Sequence, residues 1–183
     1  MRKIIAGMNM TLDGVCDHTK GIADEELHQH YTDLLRNADA ILYGRITYHL
    51  MEYWRPFVAN PSGEKAMDEF AVVMDAIPKI VFSRTLNDVD WKSARVARGG
   101  LEEEVRALTQ QDGGDILVGS RSLIVQMLKL GLIDEFQLTI HPVIAGEGLA
   151  MFENLNDWTM LKLMKTKTFD SGNVTLYYEP VKK

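Results

Sequence analysis

Along the chain, short apolar blocks alternate with longer stretches in which apolar residues recur every three or four positions. "KIIAGMN", residues 3–9, is a nearly unbroken apolar block bounded by turn residues, the pattern of a buried strand. The loop "TLDGVCDHTKG" behind it carries the pair Asp13-Gly14, a turn signal. From Asp24, placed as an N-cap, Leu27, Tyr31, Leu34, Leu35 and Ala38 fall on one helical face. "AILYG" follows as a strand. Helices are expected from Ile46 to Trp54 and from Glu64 to Ala76, on either side of the loop "RPFVANPSGE", with the second stopping before Pro78.

The second half repeats the alternation. "KIVFS", "ARVA" and "DILVG" are short strands, and "LEEEVRALTQQ" is a helix with Leu101, Val105 and Leu108 on one face and acids in its first turn. A helix from Ser122 to Leu130 ends at Gly131, and "EFQLTIHPVI" alternates strictly, with Phe136, Leu138 and Ile140 on one face. "WTMLKLMKTKTF" and "NVTLYYEP", separated by "DSG", form an antiparallel hairpin. This order predicts an α/β protein whose mainly parallel sheet carries an antiparallel edge, as a single domain over residues 1–183.

Composition narrows the function classes. No apolar run approaches the roughly 20 residues of a membrane span. The opening "MRKIIAGMNM" turns polar too soon for a signal peptide, and Cys16 stands alone, so a cytoplasmic compartment without an intrachain disulfide is expected. A net charge of -6, with lysines and arginines scattered among acids, argues against nucleic-acid binding, which needs a basic face.

Three strand ends share one design: Gly or Ser closes the strand and an arginine follows closely, in "YGRIT", "FSRTL" and "VGSRSL". In an open α/β sheet ligands bind beyond the carboxyl ends of strands, where helix N-termini offer unpaired N–H groups. Singly, Arg45, Arg84 and Arg121 read equally as solvated surface residues. Together they form a cradle for an anion carrying several phosphates.

These stretches, with "MTLDG", "GGDILVGSRSLIVQMLKLGLIDEFQLTIHPVIAGEG" and the final hairpin, resemble the dihydrofolate reductase superfamily. The closer likeness is to the reductase domain of the bifunctional deaminase-reductase of riboflavin synthesis. The resemblance implies a three-layer dihydrofolate-reductase-like fold, NADPH as cofactor and a homodimer. It places Gly44, Arg45 and Thr47 at the cofactor's phosphates, and Ser83 and Arg84 near the adenosine 2′-phosphate. Gly119, Ser120, Arg121, Ser122 and Leu123 match the pyrophosphate loop and helix start. Asp13 falls in the active-site loop, a candidate for positioning substrate or relaying a proton, and equally an ordinary Asp-Gly turn.

The departures fall on the substrate side. Val118 stands where the riboflavin enzymes carry an acid before a Gly-Gly pair, and Thr47 continues into "YHLMEYW". The expected activity is hydride transfer from NADPH to a small carbonyl, imine or pterin- or pyrimidine-like heterocycle. A nucleotide-binding module without turnover and a dimeric interaction protein are the alternatives. His28 and His30 point about 200° apart on a helix, too divergent to chelate one metal, and Cys16 lacks a partner that would make it a nucleophile. Asp24, Glu25 and Glu26 read as a helix cap and first turn. Tyr48, Tyr53, Trp54 and Phe57 either pack in the core or line the substrate side.

Overall fold

The computed structural model describes residues 1–155 and 157–181. Its centre is one eight-stranded sheet in the order β4-β3-β2-β5-β1-β6-β8-β7. The strands are β1 (Ile4–Thr11), β2 (Ala38–Gly44), β3 (Lys79–Phe82), β4 (Ala94–Val96), β5 (Asp115–Val118), β6 (Glu135–His141), β7 (Leu161–Thr168) and β8 (Val174–Pro180). The first six are parallel, and β8 and β7 close the edge as an antiparallel hairpin. The mainly parallel sheet with an antiparallel C-terminal pair is the fold class that the hydrophobic pattern predicts.

Chain direction decides which face each helix covers. Parallel crossovers are right-handed, so connections that step in opposite directions along a sheet place their helices on opposite faces. Helices α1 (Glu25–Arg36) and α4 (Lys65–Ala76) step from β1 to β2 and from β2 to β3. They cover one face, burying Leu35, Phe70 and Met74 with Ile5, Ile41, Tyr43 and Leu117. Helices α5 (Leu101–Thr109) and α6 (Arg121–Lys129) step back the other way. They cover the second face, burying Val105, Leu108, Ile124 and Met127 with Ile4, Ala6, Ile116 and Val118. The result is three layers. Between β2 and α4 lie α2 (Arg45–Met51), a 3-10 turn over Glu52–Trp54 and α3 (Pro56–Ala59).

Local chemistry fixes most ends. Asp24 is extended and its carboxylate accepts from Leu27 N–H at 2.7 Å, the N-cap that the sequence predicts. Glu102, Glu103 and Glu104 fill the first turn of α5. Gly131, with φ 64°, stands one residue past the C-cap of α6 and turns the chain out of the helix.

Three details differ from expectation. Ala38 opens β2 instead of continuing the face of α1, because Asn37 caps that helix on the Asp33 carbonyl through its side chain at 2.8 Å. The Pro-rich loop starts with a short helix, since Pro56 suits a first helical turn. The polar side of β6 is buried: Gln137, Thr139 and His141 lie on the covered face, so the alternation separates an apolar core from a polar interior rather than core from water. No described helix is long and apolar enough to cross a membrane.

Removing the Asp24 cap leaves a donor of the first turn unsatisfied. Asp24→Ala is expected to lower unfolding stability by about 1 kcal/mol, seen in urea as an earlier midpoint with an unchanged slope.

Candidate active site

The three strand ends with arginines are neighbours, because β3, β2 and β5 lie side by side. Gly44 pairs with Phe82, the last residue of β3. Across the other edge of β2, the N–H of Gly44 donates to Ser120 Oγ at 2.8 Å, locking the loop after β2 to the loop after β5. Glycine is required at position 119, where a Cβ would stand 2.8 Å from a ring carbon of the buried Tyr43; a Cβ on Gly44 would meet Ser122 Oγ at 3.4 Å, an ordinary contact.

Ser120 is the N-cap residue of α6 without capping it by its side chain, since its hydroxyl serves Gly44 instead. The first helical N–H to find a carbonyl of its own helix is that of Ile124, on Ser120 O at 2.9 Å. The N–H groups of Arg121, Ser122 and Leu123 are thereby left to an outside acceptor, with the positive end of the helix dipole behind them. Leu123 contributes through its backbone alone, because its side chain is buried in the core.

The arginines are not equivalent. Arg45 and Arg84 are exposed. Ser83 Oγ accepts from the N–H groups of Thr85 and Leu86 at 3.1 and 2.9 Å, shaping the turn that presents Arg84. Arg121 is engaged: Nε donates to the Ala150 carbonyl, and Nη2 meets Glu153 at 2.7 Å. The cradle of three open guanidinium groups is therefore reduced to two, with the third bracing the segment after β6.

Beside this junction a cavity of about 410 Å³ lies over the carboxyl halves of β1, β2 and β5. Thr47, Leu50 and Met51 of α2, Trp54, Leu27, His28 and Tyr31 of α1, and Gly119 and Arg121 line it. Trp54 packs its ring 4.6 Å from Phe70 and 5.8 Å from His28, so this member of the predicted aromatic cluster faces the cavity. Tyr48 lies in the core beside Trp91, and Tyr53 and Phe57 support Trp54 from behind at 5.3 and 6.0 Å. Cys16 also lines the cavity. Burial pushes its thiol up to about 11 against the pull of Arg121, so it is protonated at neutral pH.

The cavity's polar floor comes from residues that periodicity alone does not single out. Asn9 is the polar residue at the end of the first apolar block, and the pairing of β1 with β6 sets it against Thr139 and sets Thr11 against His141. Tyr31 Oη lies 2.9 Å from Asn9 Oδ1 and 3.0 Å from Thr139 Oγ1, and Thr139 reaches Thr175 at 2.8 Å. His141 Nε2 lies 3.2 Å from the same Asn9 oxygen, while its Nδ1 accepts from Ile22 N–H at 2.9 Å. Burial holds this imidazole below the ordinary histidine value, against the pull of Asp24, so the neutral ring carries its proton on Nε2. The signal was present in "MNM" and in the polar half of "QLTIH", yet only the strand pairing joins them.

Asp13 stands outside the cavity lining, and its carboxylate is fully engaged. It accepts from Thr11 Oγ1 at 2.5 Å and from the N–H groups of Ala145 and Gly146 at 3.0 and 2.8 Å. These donors hold its pKa down at about 2, so it is ionised at neutral pH. The carboxylate clamps the loop after β1 to the loop after β6. With a folded-state pKa below the ordinary carboxylate value, the clamp is complete above about pH 4 and is lost as pH falls through about 2. Backbone amide resonances of Ala145 and Gly146 are expected to titrate with a midpoint near that lower value, and Asp13→Ala should abolish the titration.

The comparisons with known proteins follow the same outline. The RibD C-terminal domain model matches residues 2–175. The Bacillus subtilis protein YyaP is 38% identical over 181 residues, covering 97% of this chain and 94% of its own. A structure from Shewanella sp. PV-4 has a TM-score of 0.76 at 18% identity and covers 98% of this chain and 99% of that one. The diaminohydroxyphosphoribosylaminopyrimidine deaminase/5-amino-6-(5-phosphoribosylamino)uracil reductase of Thermotoga maritima has a TM-score of 0.68 at 17% identity. It matches over 98% of this chain and 57% of its own length, so the shared part is one portion of a larger enzyme. A family match over residues 2–175 and a relative 38% identical across 97% of this chain agree: the chain belongs to the RibD C-terminal domain family.

Proposed function

We propose that the protein is an NADPH-dependent oxidoreductase that reduces a small carbonyl, imine or heterocyclic substrate held in the cavity beside Gly119. The observation that carries this reading is the open N-terminus of α6, seated where Gly44 and Ser120 lock two loops together at the mouth of a mainly apolar cavity. A pyrophosphate fits such a place: the N–H groups of Arg121, Ser122 and Leu123, without a partner in their own helix, can donate to an anion. Arg84, exposed on the turn shaped by Ser83, is the donor for an adenosine 2′-phosphate, and Arg45 opens α2 across the junction from α6. NADPH bound there would supply the hydride.

The protein's own contribution is to bind, orient and exclude water. Trp54, Leu27 and Leu50 give the cavity apolar walls, and the hydrogen-bonded floor around Asn9 supplies direction. We also propose a homodimer built on the C-terminal edge. On β7 and the segment leading into it, Trp158, Met160, Leu163 and Met164 are exposed large apolar residues on a strand whose outer edge is unpaired.

Titration with NADPH is expected to quench tryptophan fluorescence and to bind well ahead of NADH. Loss of one charge-assisted hydrogen bond is worth about 1.5 to 3 kcal/mol, so Arg84→Ala should reduce that preference by roughly 10- to 100-fold. Equal affinity of the natural sequence for the two cofactors contradicts the assignment of Arg84. Binding without loss of the dihydronicotinamide absorbance across carbonyl, imine and heterocyclic substrates favours a nucleotide-binding module. For the edge, light scattering on Met164→Lys should give the mass of one chain where the natural sequence gives two; one chain in both excludes the dimer.

A further inference from the structure

Resting on the reading of this cavity as a reductase site, we propose that Asn9 selects and orients the substrate by donating from its carboxamide NH₂ to a ring carbonyl of an uncharged, unphosphorylated planar molecule. A carboxamide can present either its oxygen or its NH₂, and here the protein decides which. The N–H of Ile22 donates to His141 Nδ1 at 2.9 Å, so the neutral imidazole has its hydrogen on Nε2. That hydrogen points to the Asn9 side-chain oxygen 3.2 Å away, and the Tyr31 hydroxyl reaches the same oxygen at 2.9 Å. Turned the other way, the NH₂ would face the imidazole's donor. With the oxygen committed to the floor, the NH₂ is left for the cavity that Asn9 lines.

Ile22 is itself held at both ends of its peptide groups. Its carbonyl accepts from Asn173 Nδ2 at 2.8 Å, and Asn173 is buried. The preceding Gly21 passes flat against His141, where a Cβ would sit 3.1 Å from a ring carbon. The imidazole is thus clamped from above and below, which makes His141 a positioning residue acting through Asn9.

The charges around the cavity set the class of ligand. Among the described residues that line it, the carboxylate is Asp17, whose Oδ1 accepts from the N–H and hydroxyl of Thr19 at 2.9 and 2.7 Å. The guanidinium is Arg121, already paired with Glu153. No described lysine lines it, so a phosphate placed on the Asn9 side would find the imidazoles of His18 and His28 but no permanent, unpaired cation. A flat neutral ring system lies between Trp54 and the floor without needing one, and its carbonyl meets the one donor that is fixed in direction.

Equilibrium dialysis in the presence of NADPH tests this with three probes: 1-methylquinoxalin-2-one, a neutral bicyclic lactam with a carbonyl acceptor and no N–H donor; naphthalene, of like size with no acceptor; and uridine 5′-monophosphate. The natural sequence should bind the lactam at least tenfold more tightly than the other two. Asn9→Leu should abolish the preference over naphthalene while NADPH still binds. Asn9→Asp, which keeps the shape and replaces the donor by an acceptor, should exclude the lactam and stands in should the leucine variant fail to fold. His141→Leu should weaken the preference and His141→Gln, which can again accept from Ile22 and donate to Asn9, should restore it. Selectivity that survives in the Asn9 variants, uridine monophosphate bound as tightly as the lactam, or no lactam binding by the natural sequence each overturns the proposal while NADPH still binds. Absence of NADPH binding instead removes the reading on which it rests.

Discussion

The insertion of β5 between β2 and β1 is the constraint on which the rest of the structure depends. The chain leaves β1, builds outward through β2, β3 and β4, and returns to fill the gap with β5 before crossing to β6. Handedness then forces α1 and α4 onto one face and α5 and α6 onto the other, so the loops after β1 and β5 part at their carboxyl ends. The cavity is the space left between them. The same insertion sets Gly44 beside Ser120 and points α6 at whatever occupies the crevice. Side chains tune this site, but the backbone order creates it.

The antiparallel hairpin has a part in the site despite standing at the far edge. Its turn supplies Asn173, which holds Ile22, which holds His141, which holds Asn9. Thr175 of β8 reaches the same floor through Thr139. A series of hydrogen bonds, part-buried apart from the buried Thr139–Thr175 pair and each worth about 0.5 to 1.5 kcal/mol, thus connects the edge of the sheet to the cavity. On the other side, Asp13 and Arg121 brace the segment after β6 with formal charge, through Ala145 and Gly146 and through Ala150 and Glu153. The mouth of the cavity is fixed by contacts distant in sequence.

What was legible in the sequence is what short-range physics decides. Asp24 caps α1, acids open α5, Gly131 ends α6 and the "DSG" hairpin closes, because each depends on neighbours a few residues away. Gly113, with φ 144°, leaves no room for a Cβ beside the Asp39 carboxylate of β2, a neighbour that its own segment does not reveal. Asp13 was legible as a turn residue, whereas its partners lie more than 130 residues further on. A separation of 32 residues hid the pairing of Arg121 with Glu153 and made three equal arginines out of three unequal ones. Asn9 and His141 are ordinary residues in their own segments. Their meaning arises from the register of β1 against β6, which no local pattern carries.

The proposed function requires the crevice beside β5 to receive the cofactor's pyrophosphate at the start of α6. Backbone amide resonances followed during titration with NADPH test this most directly. The largest displacements are expected at Arg121, Ser122 and Leu123, with Gly44 and Thr47 moving next. Displacements concentrated instead at the opposite end of the strands, around Arg2, Lys92 and Arg95, would contradict it.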